Sequence, residues 1–526
     1  MMEEKINIIG AGLAGLSAAI HISKAGRKCR LISLQPSERA QSIMAEGGIN
    51  AALNTMGEED KPYEHFIDTR KGGCFLADEN AIWNLANEAP DIVRWLWSIG
   101  VPFNMNENKM IQRNFGGQKK KRTAYAKSST GKMIMTALID EARKYENEGY
   151  IERLCSHKFV DLIIQDGKCA GVRIQKKYTD ELMNMYGNVI IACGGMNGLF
   201  SGATTGSTAN TGDIQAVLFS QGVHMANLEF IQYHPTTAPI QDKRFLITEA
   251  ARGEGGRLFV YRNNEKWYFM EEKYPEYKNL MPRDVVSREM ATVVKMADCG
   301  GKVYLDMTDI PKETWEKKLP DFRTECIRFL SVDPKQDYIE VAPGIHYFMG
   351  GIHVDINHRT NIEGLFAAGE CACQYHGANR LGGNSMLGAI YGGKVAACSA
   401  IEQTAVRVKE YEHEEKTFID DSERKEEISD ILKKSLGVFR TKEELEKGLK
   451  LLGDMNKTEL SEIDEKRLML AKAMVLSALN RKESRGAHTR VDYPEKDDVH
   501  FRMTTVAVCD GENITLHMEK IAERED

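Results

Sequence analysis

Residues 5–15 read K-I-N-I-I-G-A-G-L-A-G and continue as L-S-A-A-I-H-I-S-K-A over 16–25. The apolar run predicts a short buried strand, the glycines a turn, and the Ala-, Leu- and Ile-rich stretch a helix. Gly10 permits a tight turn, Gly12 lets a pyrophosphate approach the backbone, and Gly15 lets the helix pack closely on the sheet. The free amides of the helix N-terminus would face the phosphates. A second strand, C-R-L-I-S at Cys29–Ser33, follows at the spacing of a βαβ unit. The pattern therefore predicts a dinucleotide-binding α/β fold. That strand ends in Ser33 and Leu34, where such folds usually hold the ribose with an acidic residue.

Further nucleotide-fold signals lie along the chain. A-E-G-G-I-N-A-A at Ala45–Ala52 has paired glycines, which suit a backbone lying against a flat ring. N-V-I-I-A-C-G-G at Asn188–Gly195 predicts a buried strand ending in a glycine pair, and T-T-G-S-T-A-N-T-G-D at Thr204–Asp213 a turn that completes a nucleotide pocket. I-E-G-L-F-A-A-G-E at Ile362–Glu370 predicts a late strand, with Glu370 placed to take ribose or ribityl hydroxyls. Asn384 or Ser385 is expected to cap the helical run that follows, whose free amides can stabilise negative charge on a ring.

The chain has 526 residues, more than one core usually organises, so two to four domains are expected. The net charge of −7 and the lack of a long basic stretch argue against nucleic acid as a partner. K-K-K-R at Lys119–Arg122 reads as a solvated loop. No apolar stretch is long enough to span a bilayer and no signal-peptide pattern opens the chain, which predicts a cytoplasmic or cytoplasm-facing protein. The eleven cysteines are scattered, and Cys371 and Cys373 lack the partners of a zinc or iron-sulfur site; free thiols and no metal are expected. Residues 405–485 are charged and helix-prone, with Leu445, Leu449, Leu451 and Leu452 near helical spacing.

The motifs that carry chemistry lie between residues 230 and 385. They are Q-Y-H-P at Gln232–Pro235, T-E-A-A-R-G-E-G-G at Thr248–Gly256, M-P-R-D at Met281–Asp284, H-Y-F-M-G-G at His346–Gly351 and H-G-A-N-R at His376–Arg380. Each sets a His, Thr or Arg beside Gly or Pro, the composition of turns that aim polar groups inward. A buried dianion needs close to two compensating charges and several directed donors. Arg283 and Arg380, with His234, His346 and Thr248, would supply them for a small dicarboxylate.

In this order, from G-A-G-L-A-G through F-G-G-Q at Phe115–Gln118 to E-S-R-G-A-H-T-R-V-D-Y-P at Glu483–Pro494, the motifs resemble the succinate dehydrogenase and fumarate reductase flavoprotein family, which includes L-aspartate oxidase. The resemblance covers nearly the whole chain and is closest to the flavoprotein subunits of fumarate reductases. It implies an α/β fold: a Rossmann-like FAD-binding domain (1–225 and 346–404), an inserted α+β capping domain (226–345), a C-terminal helical bundle (405–490) and a tail (491–526). It also implies that His234, Thr248, His346 and Arg380 bind substrate carboxylates beside Phe115, that Arg283 delivers the proton, and that Glu249 and Arg252 relay it. The cofactor contacts it implies are Gly10, Gly12, Ala14, Gly15, Ser33, Ser42, Ala45, Gly47, Gly48, Asp213, Glu370, Asn384, Ser385 and Leu387.

Respiratory members carry a flavin-linking histidine where this chain has Gln41, in A-Q-S-I-M-A-E-G-G. The resemblance therefore implies non-covalent FAD, a lower flavin potential, and fumarate reduction in preference to succinate oxidation. L-aspartate oxidase, or a reductase of another 2-enoate, is the alternative. The oxidases differ around R-N-F-G-G-Q, where they carry an acidic residue suited to an amino group. With no haem or cluster motif in the chain, electrons are expected from elsewhere, and the resemblance implies an iron-sulfur subunit as their source.

Overall fold

The computed structural model describes residues 5–127, 129–179, 181–406, 422–455, 460–511 and 513–524. Its nucleotide-type sheet has five parallel strands in the order Leu365–Ala367, Val189–Ile191, Ile6–Ile9, Cys29–Ser33, Ile151–Cys155. The Lys5–Gly15 stretch sits at its centre. Ile6, Ile8 and Ile9 are buried on both faces, as a central parallel strand requires. Gly10 turns the chain at φ +117°, and a Cβ there would lie 2.2 Å from the Ala192 carbonyl oxygen; one at Gly15 would lie 1.9 Å from the Gly10 oxygen. Both glycines are steric necessities of the crossover into the helix Leu13–Lys24, which packs against the long helix Asn384–Glu402.

A second sheet of six antiparallel strands runs in the order Lys243–Leu246, Ile231–Ile240, Ile339–Phe348, Val303–Asp306, Arg257–Arg262, Glu265–Trp267. Phe269, Val286, Met290, Leu305 and Phe322 form a core of this sheet's own, while Ile231, Ile345 and Phe348 on its two longest strands join the cluster that packs on the nucleotide sheet. The two longest strands pair with Tyr233 opposite Ile345 and His234 opposite Gly344, which brings the His234 and His346 rings to 5.2 Å between centroids. The helix Arg283–Val293 packs on these strands and is tied by Ser287 Oγ donating to the Tyr233 carbonyl.

Toward the C-terminus, helices span Ser422–Ser435, Lys442–Asp454 and Glu462–Asn480. The last two begin at Thr441 and Ser461, whose hydroxyls accept from the amides of Glu444 and Asp464. The rest of the expected helical stretch, at 407–421 and 456–459, lies outside the described residues. Leu445 and Leu452 are buried and Leu449 packs beside them, but Leu451 is exposed. At 3.6 residues per turn, positions 445, 449 and 452 share a face that 451 leaves. A hairpin, Met503–Asp510 and Asn513–Lys520, pairs onto Met225–Ala226.

The K-K-K-R run is a loop with Lys119 and Lys121 exposed and Lys120 half-buried, but its last residue departs from the solvated reading. Arg122 is fully buried, with its guanidinium held by Asp60 at 2.9 Å and Asp68 at 3.0 Å. All eleven cysteines are free thiols. Among the described residues, no helix is long and apolar enough to cross a membrane and no group of His, Cys, Asp and Glu is placed to hold a metal ion.

Candidate functional site

A cavity of about 660 Å³ opens between the two sheets. One end is lined by Gly10–Ala14, Ser33, Ser42, Ala45–Gly48, Cys193, Gly194 and Glu370. The other is lined by Phe115, His234, Thr248, Glu249, Arg283, His346, Tyr347 and Arg380. Motifs separated by more than two hundred residues in sequence therefore converge on one space.

The nucleotide end suits a dinucleotide. The helices Leu13–Lys24 and Asn384–Glu402 both start there on glycines, Gly12 and Gly383, which offer no side-chain cap. The Asn384 amide donates to the Leu381 carbonyl at 3.3 Å, and the amides that follow in each first turn are left for a ligand. Ser42 Oγ reaches the Leu13 amide at 3.4 Å, and Ser33 Oγ donates to the Gln35 carbonyl at the rim. Glu370 accepts from the Phe348 amide, and burial pushes its carboxyl up to about 7.

Four expected cofactor contacts stand differently. Asn384 is buried within a network of Asn50, His65 and Thr69, so Gly383 rather than Asn384 or Ser385 is the N-cap; Ser385 lines the cavity. Leu387 belongs to the apolar core behind the helix. Asp213 reaches the cavity wall, but both its carboxylate oxygens accept from Arg467, at 2.7 and 2.9 Å. Gly15 serves packing alone, away from the cavity wall.

At the polar end, Arg283 Nε donates to Glu249 Oε2 at 2.8 Å. Gln232 Oε1 accepts from both Arg283 Nη1 at 3.1 Å and Arg380 Nη2 at 3.0 Å. The Gln232 amide nitrogen is spent on the Asn379 side chain and the Arg380 carbonyl, which fixes the direction of that oxygen. Arg380 lies over the Tyr347 ring at 4.3 Å, with its Nε buried and unpartnered. Burial and, secondarily, Arg283 push the Arg380 guanidinium down to about 9, still cationic at neutral pH. Arg252 sits behind Glu249, donates to the Asn279 carbonyl and has two buried donors without partners. Burial pushes it down to about 10, against the pull of Glu249.

Burial alone would raise the Glu249 carboxyl, but Arg283 and Arg252 outweigh it and hold it below the usual range; it also accepts from the Gly116 amide at 2.8 Å. His234 and His346 are held well below their usual value by burial and by Arg283, so both rings are neutral. His346 Nδ1 pairs with Thr205 Oγ1 at 2.8 Å, and His234 Nδ1 lies 3.1 Å from the Thr236 carbonyl. Three buried guanidiniums (Arg252, Arg283 and Arg380) thus share one ionised carboxylate, Glu249. The site is short of about two negative charges, and a dianion would supply them.

Gln232 and Glu46 were not singled out from sequence. Gln232 stands two residues before His234 in Q-Y-H-P, the spacing that sets two side chains on one face of a strand, and that was the available signal. Glu46 lies inside A-E-G-G, at the cavity wall, where burial and, secondarily, Glu325 push its carboxyl up to about 8. Between about pH 4.5 and 8 the folded chain keeps this proton while the unfolded chain releases it. The stability it contributes is therefore present at low pH and lost as pH rises through that window. Urea unfolding of the cofactor-free chain should show Glu46→Gln, permanently neutral, declining less than the wild type from pH 5 to pH 8; equal declines would refute the assignment.

Comparison with known proteins places these features in a family. Residues 6–386 match the FAD binding domain model, and residues 458–525 match the model described as fumarate reductase flavoprotein C-term. The chain is 36% identical to the succinate dehydrogenase flavoprotein subunit of Bacillus subtilis, over 96% of this chain and 94% of that one. It is 34% identical to a fumarate reductase (CoM/CoB) chain of Methanothermobacter marburgensis, over 94% and 95%. A mutant FrdA chain of E. coli quinol fumarate reductase superposes with a TM-score of 0.90 at 28% identity, covering 99% of this chain and 97% of its own.

Proposed function

Because the chain belongs to the succinate dehydrogenase and fumarate reductase flavoprotein family, FAD-binding oxidoreductases acting on CH–CH bonds, we propose that it reduces fumarate to succinate. The observation that carries this reading is the shared Gln232 oxygen, which holds two buried arginines side by side at the end of the cofactor cavity. A dicarboxylate fits that charge, and residues 226–345 act as the cap over it. Bound FAD supplies the two-electron chemistry.

Arg380, His346 and Thr248 hold the carboxylates, and Phe115 is an apolar neighbour for the alkene. Neutral His346, its Nδ1 accepting from Thr205 Oγ1, donates from Nε2 without adding charge. Neutral His234 spends its Nδ1–H on the Thr236 carbonyl and shapes the pocket wall, so the dianion's charge answers only the arginines. Carboxylates gripped in this way pull electron density from the alkene and ease its reduction. The reduced alkene has carbanion character at one carbon, a base strong enough to take a proton from Arg283 even though guanidinium rarely yields one. Glu249 and Arg252 return that proton: Glu249 is ionised and bonded to Arg283 Nε, and Arg252 lies behind it with free donors.

Gln41 lines the cavity and has no nucleophile to bond a flavin, which supports non-covalent FAD. Acid precipitation of the purified protein should release all of the yellow cofactor to the supernatant, and colour retained in the washed pellet would contradict this. The low-potential flavin that follows favours fumarate reduction over succinate oxidation, with electrons arriving from an iron-sulfur subunit that can hold the chain at a membrane face. The deciding assay is dye-linked fumarate reduction set against hydrogen peroxide production from L-aspartate. Fumarate turnover without peroxide supports the reading; peroxide from L-aspartate makes the chain an oxidase.

A further inference from the structure

The C-terminal E-S-R-G-A-H loop is far in sequence from the clamp, yet it touches both arginine-bearing segments. The Ala487 amide donates to the Ala378 carbonyl at 2.9 Å, two residues before Arg380. Gly486 lies against the same residue at φ +54°, and a Cβ there would sit 2.5 Å from the Ala378 oxygen. On the other side, Arg288 Nη1 donates to the Gly486 carbonyl at 2.8 Å. Arg288 stands on the helix Arg283–Val293, whose first residue is the proposed proton donor. Asp284, on the same helix, closes the frame: one carboxylate oxygen accepts from Arg288 at 2.9 Å, the other from Asn379 at 3.1 Å.

We propose that Arg288 is a positioning residue that sets the span between Arg283 and Arg380 by pinning the Arg283 helix to the C-terminal loop. This rests on the dicarboxylate clamp proposed above. The pin ends on a backbone oxygen of the loop, so it can hold without fixing the loop's side chains. Arg485 anchors the loop from behind, through Glu483 and the Cys74 carbonyl. The loop is thus a fixed post and the Arg283 helix is the part that is held to it.

A bound dicarboxylate also bridges the two arginines, so substrate itself restores the span when the pin is lost. The cost then appears in binding and in KM, with kcat nearly kept. A hydrogen bond from a charged donor shifts such an equilibrium by about ten- to a hundredfold. The test is titration of the FAD-loaded protein with succinate, followed by flavin absorbance, beside steady-state fumarate reduction, for wild type, Arg288→Met and Arg288→Lys. Arg288→Met is expected to weaken succinate binding and raise KM by about tenfold or more with kcat within about threefold, and Arg288→Lys, which keeps a cationic donor, to recover part of the loss.

Unchanged succinate affinity in Arg288→Met overturns the proposal. So does a loss of kcat that accompanies loss of FAD, which would mark a merely structural role. If the wild type itself neither binds succinate nor reduces fumarate, the clamp reading fails instead, so the two failures are distinguishable.

Discussion

Arg283→Ala is expected to lower the rate of fumarate reduction by about a hundred- to ten-thousandfold while the protein keeps its FAD. The guanidinium makes two contacts at the site, to Glu249 and to Gln232, and neither reaches the nucleotide end of the cavity. Cofactor binding should therefore survive. Two effects add up in the variant. The proton donor is gone, and Glu249 is left buried with its nearest counter-charge removed, so burial pushes its carboxyl up and it no longer returns a proton to the site. Arg283→Lys should fare little better, because an ammonium cannot bridge Glu249 and Gln232 in the planar fork that guanidinium offers. The measurement is turnover with a reduced dye as donor, alongside the flavin absorbance of the folded variant. Activity within about tenfold of wild type would remove Arg283 from the chemistry, since positioned proton transfer accounts for more than that.

The parts of this molecule that were legible in the sequence are those dictated by local sterics or by charge. Lys5–Gly15 was readable as strand, turn and helix because the second strand follows at the βαβ spacing, and Gly10 and Gly15 stand where the crossover leaves no room for a Cβ. The polar motifs were readable as inward-facing because His, Thr and Arg beside Gly and Pro suit turns that aim polar groups into a cleft, and His234, Thr248, Arg283, His346 and Arg380 do line one cavity. Pairing across long distances was not legible. Nothing local distinguishes Asp213, which ends on Arg467, from an aspartate free to meet a ribose. Asn384 looks like a helix cap, but it is drawn into a buried network with Asn50 and His65, and a glycine takes the cap position. Arg122 sits in a run of lysines that suggests solvent, while its partners Asp60 and Asp68 lie more than fifty residues earlier.

The same limit explains the E-S-R-G-A-H-T-R stretch, whose specificity was evident but whose physical reason was not. Arg481, just before it, is fully buried, and each of its five N–H donors has an acceptor. Nε meets Glu229, Nη1 meets Glu483 and the Phe501 carbonyl, and Nη2 meets the Met503 carbonyl and Thr505 Oγ1. One guanidinium thus joins the segment between Met225–Ala226 and Ile231–Ile240, the stretch after the C-terminal helices and the terminal hairpin. Arg481→Met should destabilise the protein by about 3–5 kcal/mol, because Glu229 is left as a buried charge without its cation. Glu483 keeps Arg485 and loses less. Arg481→Lys keeps the charge but has three donors for five acceptors, so at least two of these bonds are lost and an intermediate loss is expected. Urea unfolding followed by fluorescence gives the order wild type, then lysine, then methionine. If the methionine variant unfolds at the wild-type midpoint, the network is a by-product of packing and does not hold the C-terminal region in place.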